Sequence, residues 1–294
     1  MILKRSDKYL IRFFRQLARL PLGVLYVVGD VVAFMLYHVL RYRRWVVRNN
    51  LVRAFPGASP ERIVKWEKAF YRHMCDVFVE AFKLLHISDA EVDRRIDIRD
   101  AALVDEAVRS GRSVVLMLGH YGNWEWVTAI VRRFKCDAYS CQIYHPLRSR
   151  FMNQLMLRIR GRFGSDNIPM AQAVRRLLSL ERSGRHFVCG FIADQRPLGK
   201  TLRHWTDFMG IDSPYVVGGE SIGEHLGTAY LYVDVERLSR GHYRLTFKPI
   251  VPPAGDDGEY PVTREYLRML EETIRRDPPY WLWSHYRWCR TRGD

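Results

Sequence analysis

The apolar run Val114–Leu118 is the tightest constraint in this chain. It stops at Gly119, and His120, Tyr121, Gly122, Asn123, Trp124 and Glu125 follow at once. A short unbroken apolar run ended by glycine reads as a strand buried on both faces, the kind found in parallel sheets. Gly122-Asn123 marks a sharp bend, and Trp124 to Phe134 has helical spacing. His120 therefore falls at the carboxyl end of a strand and Glu125 in the first turn of the next helix. Residues five apart on one regular helix point about 140° away from each other at 3.6 residues per turn. The two can meet only if the backbone bends between them, and Gly122-Asn123 supplies the bend. A carboxylate on one ring nitrogen leaves the other free to take a proton, which makes a general-base pair without a protein nucleophile.

Strands and helices alternate through the rest of the chain. Ser59-Pro60 opens a helix with Ile63, Trp66, Phe70, Val77, Phe78, Ala81 and Leu85 on its apolar stripe. Residues 100 to 110 read as a short helix closed by Gly111. Ala138 to Tyr144 reads as a strand, Phe151 to Arg160 as a helix, Ala171 to Arg182 as a helix and His186 to Ala193 as a strand. That last strand ends in Asp194-Gln195-Arg196-Pro197, polar residues where α/β sheets place their ligands. Val216 to Leu226 is helical, Thr228 to Val235 and Tyr243 to Pro249 form a hairpin, and Thr263 to Arg276 is a helix. The pattern predicts an α/β fold, with a mixed, mostly parallel sheet flanked by helices.

The amino-terminal stretch is different. Lys4, Arg5, Lys8, Arg12, Arg15 and Arg19 alternate with Leu10, Phe13, Phe14 and Leu17, as in a helix lying on an anionic bilayer. Leu20 to Leu40 then runs with one acid, Asp30, over a length that matches a hydrocarbon core of about 30 Å. Asp30 at the centre and basic residues on both flanks argue equally for a shallow anchor and for a span. Residues 1–45 are therefore read as an anchor with a hydrophobic membrane helix, and 46–294 as the α/β domain.

The formal charge of +15 points to an anionic partner such as lipid headgroups, an acidic carrier protein or nucleic acid. No RNA- or DNA-binding motif accompanies it. The five cysteines are widely spaced and form no CxxC pair, which fits free thiols in a reducing compartment and no zinc site. HExxH, GxSxG and P-loop patterns are absent. The aromatic and basic tail PPYWLWSHYRWCRTR fits either a cover for the sheet or a contact with headgroups.

Taken together, these tracts resemble the bacterial lipid A biosynthesis acyltransferases, lauroyl and myristoyl transferases of the lysophospholipid acyltransferase superfamily. The resemblance rests on YRRWVVRNNLVRAFP at 42–56, HYGNWE at 120–125 (the His-x4-Asp/Glu motif) and IYHPL at 143–147. RIRGRFG at 158–164, ADQRP at 193–197 and WSHYRWCRTR near the end complete it. It implies transfer of a fatty acyl chain from acyl carrier protein, with acyl-CoA the alternative donor, to a hydroxyl of an anionic lipid acceptor. The enzyme would work at the bacterial inner membrane with its catalytic domain facing the cytoplasm. His120 would be the base and Glu125 its partner. The helix-end arginine falls on Arg160, with Arg162 its nearest rival, and the strand-end aspartate on Asp194. Arg196 and backbone N–H groups near Asn123 are further candidates for holding substrate or oxyanion. No metal or organic cofactor is implied. His145 stands where many members carry arginine, and the acceptor does not carry over. Acylation of a lysophospholipid, glycolipid or amino-acid lipid would use the same motif positions. A non-catalytic protein gripping anionic lipid or nucleic acid is the reading outside the enzyme class.

Overall fold

The computed structural model describes residues 5–197 and 202–289. Lys4, at the head of the basic arm, and the closing Arg290-Thr291-Arg292 of the tail motif lie outside them. Helices α1 (Arg5–Leu17) and α2 (Leu22–Phe34) come first, and α2 runs on as a π-helical turn, Met35–Val39. They are followed by α3 (Arg44–Ala54), α4 (Pro60–Lys83), α5 (Asp89–Arg95), β1 (Ile96–Arg99), α6 (Ala102–Arg109) and β2 (Val114–Leu118). Beyond the bend a 3₁₀ segment, Trp126–Arg133, leads to β3 (Tyr139–Tyr144), α7 (Arg150–Arg160), β4 (Asp166–Pro169), α8 (Ala173–Arg182) and β5 (Phe187–Ile192). The hairpin β6 (Trp205–Phe208) and β7 (Ile211–Pro214), helix α9 (Gly218–Leu226), strands β8 (Ala229–Ser239) and β9 (His242–Pro249), and α10 (Pro261–Arg276) complete it.

Seven strands form one sheet in the order β1-β9-β8-β2-β5-β3-β4, and every neighbouring pair is parallel except the β8–β9 hairpin. The mixed, mostly parallel sheet predicted from the sequence is the one found. All five residues of β2 are buried, between parallel partners on both sides. Burial of that kind is worth roughly 1.5–3 kcal/mol for each large apolar side chain. In α4, the Ser59 side chain accepts a hydrogen bond from the Arg62 N–H and Pro60 fills the first turn, as the sequence predicted.

Several stretches differ from the sequence reading, the unpredicted hairpin β6–β7 among them. The stretch read as a helix from Trp124 is a 3₁₀ segment that begins at Trp126. Two short strands, β1 and β4, lie at opposite edges of the sheet where no strand was expected. They have four residues each and too little alternation to be recognised. The aromatic tail, for which the sequence leaves open both a cover over the sheet and a contact with headgroups, turns inward. Trp281, Trp283 and Trp288 are buried and pack ring against ring, with centroids 4.8 to 6.4 Å apart. Tyr280 to Leu282 runs beside the His120 bend: Gly122 N–H donates to the Tyr280 carbonyl (2.9 Å) and Leu282 N–H to the His120 carbonyl (3.1 Å).

Candidate active site

Strands β2 and β5 are parallel neighbours, and Leu118 lies opposite Ile192. Two residues further along each strand, the same register brings His120 against Asp194. The Asp194 Oδ1 lies 2.7 Å from His120 Nδ1, and its Oδ2 accepts from the His120 backbone N–H (2.9 Å) and the Trp281 indole N–H (2.7 Å). Asp194 is fully buried. Burial pushes its pKa up, but the His120 charge and the three hydrogen bonds outweigh that and hold the carboxyl below its ordinary value. The ring is thereby set with Nδ1–H toward Asp194. Nε2 makes no hydrogen bond among the described residues, and 22% of the side chain remains exposed. The Gln195 amide stands 3.2 Å from Nδ1, and the Trp124 ring meets the imidazole edge-on with centroids 5.3 Å apart.

Gly119 allows this closeness. A Cβ there would sit 2.7 Å from a methyl of Leu270 and 3.4 Å from Asp194 Oδ2. Gly122 makes the bend, with φ +57° and Val235 Cγ1 2.6 Å from where a Cβ would be.

The contact expected between His120 and Glu125 is not made. Both oxygens of Glu125 are taken by Arg160, at the end of α7, through Nε (2.8 Å) and Nη2 (2.6 Å). This fork-on-carboxylate pair is largely buried. Burial lowers the Arg160 pKa, and the Glu125 hydrogen bond and charge more than restore it, so the guanidinium stays charged. Arg160 Nη1 makes no hydrogen bond among the described residues. The first-turn carboxylate thus holds an arginine, and the strand-end carboxylate holds the histidine.

The remaining candidates separate. Arg162 turns away to the start of α5, where its Nη2 reaches the Ile87 carbonyl (2.7 Å) and Asp89 (3.4 Å). Asn123 is buried and braces the bend: its Oδ1 accepts the Trp126 N–H (3.1 Å) and its Nδ2 donates to Glu80 (2.6 Å). Arg196 is half-buried, two residues past Asp194. Among the described residues no group of three His, Cys, Asp or Glu side chains is arranged to hold a metal.

Three supporting residues had escaped the sequence reading. Glu80, fully buried, also accepts from Tyr26 (2.7 Å) and Tyr243 (2.8 Å). Burial dominates those bonds and pushes its pKa up to about 7. His73, two helical turns earlier on α4, donates from Nε2 to the Gly122 carbonyl (3.1 Å). Trp281 holds the far oxygen of Asp194. His73 and Glu80 carry a legible signal, being polar residues at the spacing of the apolar α4 stripe. Trp281 carries none beyond belonging to an aromatic tail.

The model of the family described as bacterial lipid A biosynthesis acyltransferase matches residues 6–290. The chain belongs to that family. Two curated relatives are similar over 274 residues at 23% identity, covering 92% of this chain and 86% of each relative. One is the lipid A biosynthesis palmitoleoyltransferase of Escherichia coli (strain K12), and the other the lipid A biosynthesis acyltransferase of Shigella flexneri. As a member of this acyltransferase family the chain is an acyl-transferring enzyme, and the non-catalytic binding reading falls away.

Proposed function

We propose that this enzyme moves a fatty acyl chain from the thioester of acyl carrier protein to a hydroxyl of a lipid A precursor, at the cytoplasmic face of the bacterial inner membrane. The observation that carries the mechanism is the imidazole of His120, fixed at Nδ1 by a buried carboxylate and open at Nε2. Nε2 takes the proton of the acceptor hydroxyl as its oxygen attacks the thioester carbonyl. The imidazolium so formed is stabilised by ionised Asp194. As the tetrahedral adduct collapses, the C–S bond breaks and the proton passes from Nε2 to the leaving sulfur, giving ester and carrier thiol. General-base assistance of this kind contributes about 10²–10⁴-fold. Arg160, oriented by Glu125 and with one amino group uncommitted, supplies positive charge for the oxyanion or an acceptor phosphate. The excess of 47 Lys and Arg over 32 Asp and Glu suits an acidic carrier and a phosphorylated acceptor.

The test is a radiolabelled acyl-carrier thioester offered with purified lipid A precursor to wild type and His120→Ala. Labelled acceptor forms only with wild type, although both proteins melt alike. Turnover by the variant at the wild-type rate overturns the assignment of the base. A stable acylated protein by intact mass overturns direct transfer.

A further inference from the structure

Helix α2 is apolar enough to cross a membrane and, with its π turn, makes one 18-residue window, Leu22–Val39. Its side chains face two ways. Leu22, Leu25, Gly29 and Ala33 are buried against the domain. At Gly29 the helix packs on α4, with Val79 Cγ1 3.7 Å from where a Cβ would be, an ordinary van der Waals contact. Asp30, the single acid of the stretch, lies on the flank between the two faces. It is paired with Arg72 Nε (2.8 Å) and Arg240 Nη2 (2.8 Å), and Arg240 in turn holds Asp76. The opposite face, Val24, Val27, Val28, Val31, Val32 and Phe34, is open, with Val27 and Val31 63% and 59% exposed.

From this two-sidedness we infer that α2 lies along the membrane surface and sinks its valine face into one leaflet, without spanning. This rests on the membrane-associated reading above and specifies its geometry. A spanning helix needs hydrocarbon, or another helix that can itself enter the bilayer, on every side. Here one whole side is α4, which would have to enter the bilayer with Arg72 and Asp76, and each charge at the bilayer centre costs roughly 2.5–3.5 kcal/mol even on insertion scales. Pulling α2 away from α4 instead would strip Asp30 of both arginines in mid-bilayer. The partner that fits is an anionic leaflet. Arg12, Arg15 and Arg19 are exposed just before the valine face and Arg41 and Arg43 just after it. Trp45, 73% exposed, stands where interfacial tryptophans sit.

Sidedness decides the matter. In full-length protein carrying Arg12→Cys, a membrane-impermeant maleimide is applied to intact spheroplasts and to inverted vesicles from the same cells. A lying helix keeps position 12 and the exposed native Cys289 on one side, so both are protected in spheroplasts and both are labelled in inverted vesicles. Labelling of position 12 in spheroplasts, with Cys289 protected, overturns the inference. In a second arm, Val28→Asp with Val31→Asp is mixed with vesicles of phosphatidylethanolamine and phosphatidylglycerol. Binding weakens about a hundredfold, the transfer free energy of two valine side chains, and wild-type binding overturns the inference. Acyl transfer to a detergent-dispersed acceptor persists in this variant, whereas failure of the proposed chemistry would appear as absent transfer by wild-type protein that still binds vesicles.

Discussion

Asp194 holds His120 twice, accepting from the ring at 2.7 Å through one oxygen and from the backbone N–H at 2.9 Å through the other. The carboxylate therefore fixes the tautomer of the imidazole and also the position of the residue that carries it. Asp194→Asn preserves the volume but removes the negative charge, and one face of its amide can only donate. The expected loss in kcat is roughly 10³–10⁴-fold, as where a carboxylate orients a catalytic histidine, with little change in KM for the acyl donor. Steady-state kinetics on a variant that melts normally provide the measurement. A kcat within a few-fold of wild type would show that the ring needs no partner.

Glu125 and Arg160 form a closed pair, so their substitutions should not add. Removing either leaves a buried charge, and breaking such a pair costs about 3–5 kcal/mol of stability. Removing both spares that penalty. Denaturant unfolding of Glu125→Gln, Arg160→Met and the double variant should give a double variant no less stable than the worse single. Strict additivity would mean that the two side chains act independently. Activity should fall in all three, because each lacks a correctly aimed guanidinium.

Much of this site was legible before any coordinates, and the part that was not has a clear cause. The buried strand, the glycine bend and the two polar residues around it follow from local pattern, because a parallel strand buried on both faces has few other spellings. The partner of His120 does not follow from local pattern. Consecutive strands are usually neighbours, which would put β3 next to β2. Here β5 is inserted between them, and only that crossover carries Asp194 to the histidine. Glu125, five residues away, is the nearer acid in sequence but faces α7. The short edge strand β4 ends in Pro169 and has no alternating pattern, as strands confined to a sheet edge often do. The inward turn of the tail depends on Trp281 finding a buried carboxylate 87 residues away, a pairing that no periodicity encodes.

His73 should leave a mark on the pH dependence of stability. Its buried ring is pushed down to about 3, by burial first and by the Arg237 charge second. A folded pKa below the unfolded value of about 6.5 means that the unfolded chain takes up the proton first. Stability is therefore full above pH 6.5 and drains away as pH falls toward 3, by about 1.4 kcal/mol per pH unit. His285, pushed down to about 4 chiefly by burial, adds a slope of the same sign over a narrower window that ends near pH 4. Glu80 opposes both between about pH 4.5 and 7, because its raised pKa makes stability fall as pH rises. His73→Gln keeps a donor for the Gly122 carbonyl and cannot titrate. Between pH 4.5 and 6 its stability should rise with pH less steeply than wild type, by about 1.4 kcal/mol per unit. Urea unfolding at four or five pH values resolves that, and an unchanged slope would mean that His73 is protonated in the fold.

Asn123→Asp tests whether the Glu80 carboxyl truly braces the bend. In the native protein Asn123 Nδ2 donates to Glu80 Oε2 at 2.6 Å, while its Oδ1 caps the Trp126 N–H. Aspartate keeps the cap and places a second carboxyl oxygen where the donor was. Two carboxyls at that distance in a buried site cannot both ionise, so one proton must be shared and the higher pKa of the pair climbs. That folded pKa lies above the unfolded value of about 4. The variant is therefore near wild-type stability where the pair can keep its proton and loses stability as pH rises through the shared pKa. Since Glu80 alone is already pushed up to about 7, the loss should be evident by pH 8. Thermal melts of Asn123→Asp should match wild type near pH 5 and fall well below it at pH 8, with acyl transfer lost over the same interval as the His120 bend loosens. Asn123→Ala should show a loss of about 1–3 kcal/mol for the hydrogen bonds removed, with a smaller pH dependence of the same sign, because Glu80 loses one of the donors that hold its pKa down. Equal melts for the aspartate variant at both pH values would place Glu80 outside the support of the bend.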